Sequence, residues 1–150
     1  PDGSPWMIYC HEWTQMKIGR MDAGRLKDDL SGLAEKPVEL FRADTPFGSG
    51  HVTDGPYCYR SPNSGRLFMI WSTFCRRSYS VISCESKSGK ALGPWGNFKT
   101  VFADNGGHGM ILKTFEGELK LVMHKPEVRG VERLALFNLR DDGSSLKVVE

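Results

Sequence analysis

No apolar run in this chain approaches the ~20 residues that a membrane-spanning helix needs. The longest, such as LFMIW from Leu67 to Trp71, end at strand length. No charge of one sign dominates either. The 20 Lys and Arg residues face 18 Asp and Glu, for a formal charge of +2, and the two signs are interspersed. That balance leaves no electrostatic footprint for a nucleic acid, and the adjacent Arg76 and Arg77 are too small a patch to make one. Cysteine is scarce and unclustered: Cys10, Cys58, Cys75 and Cys84 show no CxxC spacing, which argues against a zinc centre. They sit in or beside strand-like segments and read as buried free thiols, with Cys75 and Cys84 the pair to check for a disulfide. Helical signal is almost missing. Only AGRLKDDLSGLAE, with Leu26, Leu30 and Leu33 at helical spacing, has any, and its glycines reduce it to a turn within a loop. No membrane partner, nucleic-acid partner or export signal is expected from these features, and the export route stays unread because the first residues already look like part of a hairpin.

What the chain does have is a repeated strand. DGSPWMIYCHEW near the start, SGRLFMIWST from Ser64 and EGELKLVMHK from Glu116 each place a glycine in a turn ahead of an apolar stretch. The glycines, Gly3, Gly65 and Gly117, are 62 and 52 residues apart. Intervals of this size indicate copies of one supersecondary unit, and they suit a four-stranded propeller blade with its loops.

The surrounding segments fill such blades. GPYCYRS, the second copy, SYSVISCES and NFKTVFAD make four strands, with SGKALGPWG as the last turn. GMILKTF, LKLVMHK, ERLALFNL and LKVVE, the last after the DDGSS turn, make another four. The first copy shows only PWMIYCHE, a stretch near MKIGRMDAG, and PVELFRA, so its innermost strand is expected to precede Pro1. The fold expected is all-β, a β-propeller fragment of two and a half to three four-stranded blades, spanning residues 1–44, 51–104 and 107–150. With 39% hydrophobic and 25% charged residues, the chain has ordinary globular usage.

The stretches MIYCHEWTQ, VTDGPYCYR, GRLFMIWSTF, ALGPW and GGHGMILKTFEGELKLVMHKP, followed by ERLALF, resemble glycoside hydrolase family 43. The resemblance covers nearly the whole chain and implies the C-terminal half of a five-bladed ring. It also implies inverting hydrolysis of arabinan, xylan and related plant polysaccharides, so an arabinose- or xylose-containing carbohydrate is the expected partner. A secreted or periplasmic location would follow.

Inverting hydrolysis needs a carboxylate base for water and a carboxylic acid for the leaving oxygen, roughly 6.5 to 9.5 Å apart. The resemblance implies that the base and a third, tuning Asp precede Pro1, which would leave this part inactive by itself. It implies the general acid at Asp54 in TDGPY, where the family commonly has Glu; from pattern alone, an Asp before Gly-Pro is a turn former. Glu12 in CHEW is the rival, because the end of a second strand and the start of an inner strand meet at one end of a propeller. Trp13 and His11 beside Glu12, and Lys125 and Arg133 at other strand ends, are candidate substrate-binding residues; His124 beside Lys125 also ends a second strand, as either a cleft residue or a solvated strand end. Trp6, Phe68 and Trp71 are expected to pack between blades, and Trp95 to pin an outer strand. His108 in GGHGM is implied as a ligand of a calcium ion near the propeller axis, although calcium prefers oxygen. The alternative function is a non-catalytic propeller module that binds carbohydrate or protein. Open blade faces would also favour a homodimer.

Overall fold

The computed structural model describes residues 3–12, 14–44 and 51–149. Its strands form three antiparallel sheets. The first is β1 (Trp6–His11), β2 (Arg20–Arg25) and β3 (Val38–Arg42), in that order. The second is β4 (Asp54–Arg60), β5 (Leu67–Cys75), β6 (Ser78–Ser86) and β7 (Trp95–Phe102), again in chain order. The third is β8 (Gly107–Lys113), β9 (Leu119–Lys125), β10 (Arg133–Asp141) and β11 (Leu146–Val149). This is the meander of propeller blades that the spacing of strands and turns predicts.

The repeated glycines have a common cause. Gly3, Gly65 and Gly117 have φ of 78°, 71° and 89°, a left-handed region that costs other residues a Cβ clash. The turns at Gly65 and Gly117 each feed the second strand of a four-stranded sheet, and the turn at Gly3 feeds β1 of the three-stranded one, so the same short text recurs in equivalent use.

Alternation along those strands builds two apolar layers. On β5, Met69 and Trp71 join Met21, Ile82, Cys84 and Trp95 between the first and second sheets. Phe68 and Ile70, from the other face of β5, join Val81, Ile111, Leu121 and Met123 between the second and third. Trp71 is fully buried and Phe68 nearly so, the packing roles expected of them. Trp95 is buried with its indole N–H donating to the Ala91 carbonyl at 2.9 Å, which ties the start of β7 to the preceding turn.

AGRLKDDLSGLAE is a turn within a loop, as its glycines predict: Ala23 to Arg25 complete β2, the Leu30 N–H donates to the Lys27 carbonyl at 2.9 Å, and Leu26 and Leu33 form an isolated bridge. The reading of the cysteines needs correction. All four cysteines are free thiols, yet only Cys84 is buried; Cys58 is exposed, and Cys10 and Cys75 are intermediate. Cys84 lies opposite Met69 whereas Cys75 lies opposite Ser78. Six residues of strand, about 20 Å, separate those positions, far beyond disulfide reach.

The outer face of the third sheet is apolar and exposed. Gly109 and Ile111 point inward, so Met110 and Leu112 point out, and across the sheet Leu134 and Leu136 are 73% and 53% exposed.

Candidate active site

Two bulges create the site. The pairing of β4 with β5 slips between Asp54 and Tyr57, and that of β8 with β9 slips between Gly107 and Met110. A bulge re-aims the side chains beside it. Here each sits at the start of an inner strand, and the two starts are brought together. Gly55 at φ 51° and His108 at φ 51° are the left-handed residues involved.

The result is a carboxylate with two donors. The Tyr79 hydroxyl donates to Asp54 Oδ2 at 2.6 Å, and His108 Nδ1 lies 3.2 Å from the same oxygen. The backbone N–H of His108 donates to the Ser72 hydroxyl at 2.8 Å, which fixes the histidine from behind. Burial alone would raise the Asp54 carboxyl, but hydrogen bonds from His108 and Tyr79 outweigh it and its pKa falls below the ordinary value. The hydrogen bond to Asp54 raises His108 in turn, against the opposing effect of burial. Burial first, and then the bond to Asp54, keep the Tyr79 phenol protonated far above its ordinary range.

Glu12 faces Asp54 from the end of β1. Ligand atoms of Cys10, Glu12 and Asp54 all lie within 4.8 Å of one another. Burial, with a hydrogen bond to Glu12 added, pushes the Cys10 thiol up to about 12. Cys10 is therefore a neutral donor to Glu12 and no nucleophile at neutral pH.

These groups open on a cleft of about 310 Å³ that Phe74, Tyr79, His124 and Glu127 also line. Tyr79 stacks on His124 with ring centroids 5.7 Å apart, and His124 Nε2 is bonded to Glu127. A larger hollow of about 860 Å³, lined by Trp6, Ile8, Tyr57, Arg60 and Leu67, has no carboxylate among the described residues of its walls. The clustered carboxylates line the smaller cleft.

The structure brings together Asp54, Glu12 and His108 from the expected set and turns three others away. His11 alternates with Cys10 and Glu12, so its ring goes to the other side of β1, where Nδ1 meets the buried Asp22 at 2.7 Å. Lys125 follows Leu121 and Met123 onto the face packed against β7, where it pairs with Asp104 and lies over the Phe102 ring. Arg133, opposite Lys125 in the sheet, donates to the Glu132 carbonyl at 2.7 Å. Strand parity is the reason in each case. Trp13 lies outside the described residues.

His124, expected with Lys125 at the end of a second strand, does line the cleft, whereas Tyr79, Cys10 and Glu127 enter the site without having been predicted. A signal for Tyr79 existed: β5 ends where Asp54 begins, so the first residues of β6 return to that same end. As for calcium, the ion takes six to eight oxygen ligands. Among the described residues His108 offers one imidazole, whose Nδ1 is engaged by Asp54, and the nearest cluster contains a protonated thiol. This donor set does not by itself fit calcium.

Several solved structures are similar to this chain. An endo-arabinase from Bacteroides thetaiotaomicron is 34% identical with a TM-score of 0.84, over 96% of this chain and 55% of that one. A thermostable family-43 glycoside hydrolase is 21% identical with a TM-score of 0.80, over 98% of this chain and 54% of its own. An α-L-arabinofuranosidase from Lactobacillus brevis is 17% identical with a TM-score of 0.70, over 95% and 51%. At the two lower identities the likeness is one of fold. The chain spans about half the length of these relatives. No protein-family model and no curated protein sequence matches it. Antiparallel sheets packed as propeller blades, the 34% identity to the arabinase and the fold shared with family-43 structures place this chain in glycoside hydrolase family 43, as about half of that family's β-propeller.

Proposed function

We propose that this chain supplies the acid side of a glycosidase cleft, in an inverting hydrolase of arabinose- or xylose-containing polysaccharide. The observation that carries the reading is the approach of Glu12 and Asp54 to within 4.8 Å. An inverting acid and base stand roughly 6.5 to 9.5 Å apart to admit water. Glu12 and Asp54 are too close for that and act together on one side of the scissile bond.

Two neighbouring carboxyl groups favour a state in which only one is charged. Asp54 has the two donors that stabilise a charge, from Tyr79 and His108. Glu12 then holds the proton and delivers it to the leaving oxygen, while Asp54 orients and tunes it. This assignment gives the acid role to Glu12, the rival of the Asp54 that the family resemblance alone implies. The shorter Asp side chain suits a positioning group better than a donor that must reach the bond. The base that activates water belongs to the other half of the propeller. His124 and Glu127 offer polar partners for sugar hydroxyls, and Phe74 an apolar ring. A second copy docking on the exposed face of the third sheet would make a homodimer.

Glu12→Gln and Asp54→Asn test the roles on two substrates. In a whole propeller, with the base-bearing half joined to this chain, Glu12→Gln should lose about 10²- to 10⁴-fold in kcat on arabinan or xylan oligosaccharides. An aryl arabinofuranoside, whose acidic leaving group needs no proton, should still be cleaved. Equal loss on both substrates would remove Glu12 from the acid role. A whole propeller that binds the oligosaccharides and cleaves none, with Asp54→Asn and Glu12→Gln binding as tightly, would favour the non-catalytic carbohydrate-binding module.

A further inference from the structure

The hairpin between β5 and β6 turns on Arg76 and Arg77 alone, because Cys75 already pairs with Ser78. Their φ angles are 48° and 71°. Two central residues at positive φ form the tight turn that matches strand twist, and sequences such as Asn-Gly adopt it easily. Two arginines do not, since each Cβ crowds the following carbonyl in the left-handed region. Strain of this kind collects at ligand clamps and functional loops.

The charge at this tip is uncompensated. Arg76 and Arg77 are exposed, and among the described residues neither makes a hydrogen bond or ion pair. Arg20, Arg42 and Arg66, by contrast, each pair with a carboxylate. The tip also has a defined place. Phe74 stands two residues before it and Tyr79 two residues after, and both line the cleft, with ring centroids 5.1 Å apart. The turn that carries the two arginines is thus adjacent to a cleft whose own walls carry Glu12, Asp54 and Glu127.

That arrangement sorts ligands by the position of their charge. A carboxylated sugar inside the cleft would face three acidic residues, whereas one just outside it would meet two planar forks that match carboxylate geometry. We propose that Arg76 and Arg77 form a subsite for the carboxylate of a uronic acid, so that the cleft takes a neutral sugar from an acidic polysaccharide. The inference rests on the carbohydrate reading above and names the class of polymer within it.

Binding of the chain to glucuronoxylan, to the same polymer after chemical reduction of its carboxyl groups, to neutral arabinan and to dextran sulfate tests it. The variant is Arg76→Asn with Arg77→Gly, which relaxes the turn and is checked for fold by its Tm. Wild type should bind glucuronoxylan about tenfold or more tighter than the reduced polymer, the gain expected from a charge-assisted contact. The variant should lose that preference, keep its affinity for neutral arabinan, and melt no lower than wild type. Equal affinity for the native and reduced polymers would overturn the subsite and leave the carbohydrate reading standing. Binding of dextran sulfate as tight as that of glucuronoxylan would overturn it as mere attraction of polyanions. Failure to bind any glycan, neutral or acidic, would overturn both readings.

Discussion

The ring of His108 rests on Gly55: a Cβ at that glycine would stand 2.9 Å from His108 Cδ2, and the residue's φ is 51°. The glycine of the Asp-Gly-Pro motif is therefore what lets a histidine from the neighbouring sheet close over the cleft carboxylate. Gly55→Ala combines left-handed strain, about 1–2 kcal/mol, with displacement of His108. Denaturant unfolding should show a loss of at least that size, and the His108 imidazole resonance should move. An unchanged resonance would mean that the contact does not position the histidine.

The Asp54 and His108 pair also sets a pH window. Asp54 is lowered from 3.8, so its contribution is present above that value and is lost as pH falls through its folded pKa. His108 is raised from 6.5, so its contribution is complete below that value and is lost as pH rises through its folded pKa. The pair is worth most between the two, at mildly acid pH. A double-mutant cycle with Asp54→Asn and His108→Asn, read as Tm against pH, should give a coupling that is largest there and shrinks at both ends. A coupling flat across the range would contradict the pairing.

Much of this fold was open to reading because turn glycines and strand parity are local. Gly3, Gly65 and Gly117 mark the same turn three times, and strands such as Leu119–Lys125 end where the apolar text ends. Asp54 and Glu12 were open to reading for the same reason, as residues at strand ends that topology brings to one side. The place of Tyr79 at that end was open to the same argument, but its stacking role was not, because that depends on the sheet next door supplying His124. His11 and Lys125 were misplaced by a single step of alternation, which position along the chain alone does not resolve. Arg76 and Arg77 looked like a small basic patch in text, and only their backbone angles show the strain.

Trp71 spans the layer between the first two sheets, with the Phe41 and Phe98 rings 5.3 and 6.4 Å from its own. Trp71→Ala should cost about 3–5 kcal/mol, in one cooperative unfolding step if the sheets melt together. A loss below about 1 kcal/mol would mean that neighbours collapse into the space.

The outer face of the third sheet predicts association. Met110, Leu112, Leu134 and Leu136 are all exposed there, and contiguous apolar patches mark contact surfaces. Light scattering over a range of concentrations should show a mass that rises above the monomer. Leu134→Lys with Leu136→Lys should return it to 16.8 kDa. A wild-type chain that stays monomeric at every concentration would remove the homodimer.

Tyr79→Phe isolates the second donor to Asp54 without changing the ring that stacks on His124. A hydrogen bond to a charged group contributes about 1.5–3 kcal/mol, and this bond is made to a carboxylate with little exposure. The phenol donates more strongly to ionised than to protonated Asp54, so the effect has a sign in pH. Asp54 is held below 3.8 partly by this hydroxyl; removing it lets the folded pKa rise toward the unfolded value. The stability gap between wild type and Tyr79→Phe should therefore be full at neutral pH and close as pH falls through the Asp54 titration. The Tm of both proteins at steps from pH 7 downward measures it. If the gap stays constant to the acid end, Tyr79 acts through packing, and the charge on Asp54 is set by His108 alone.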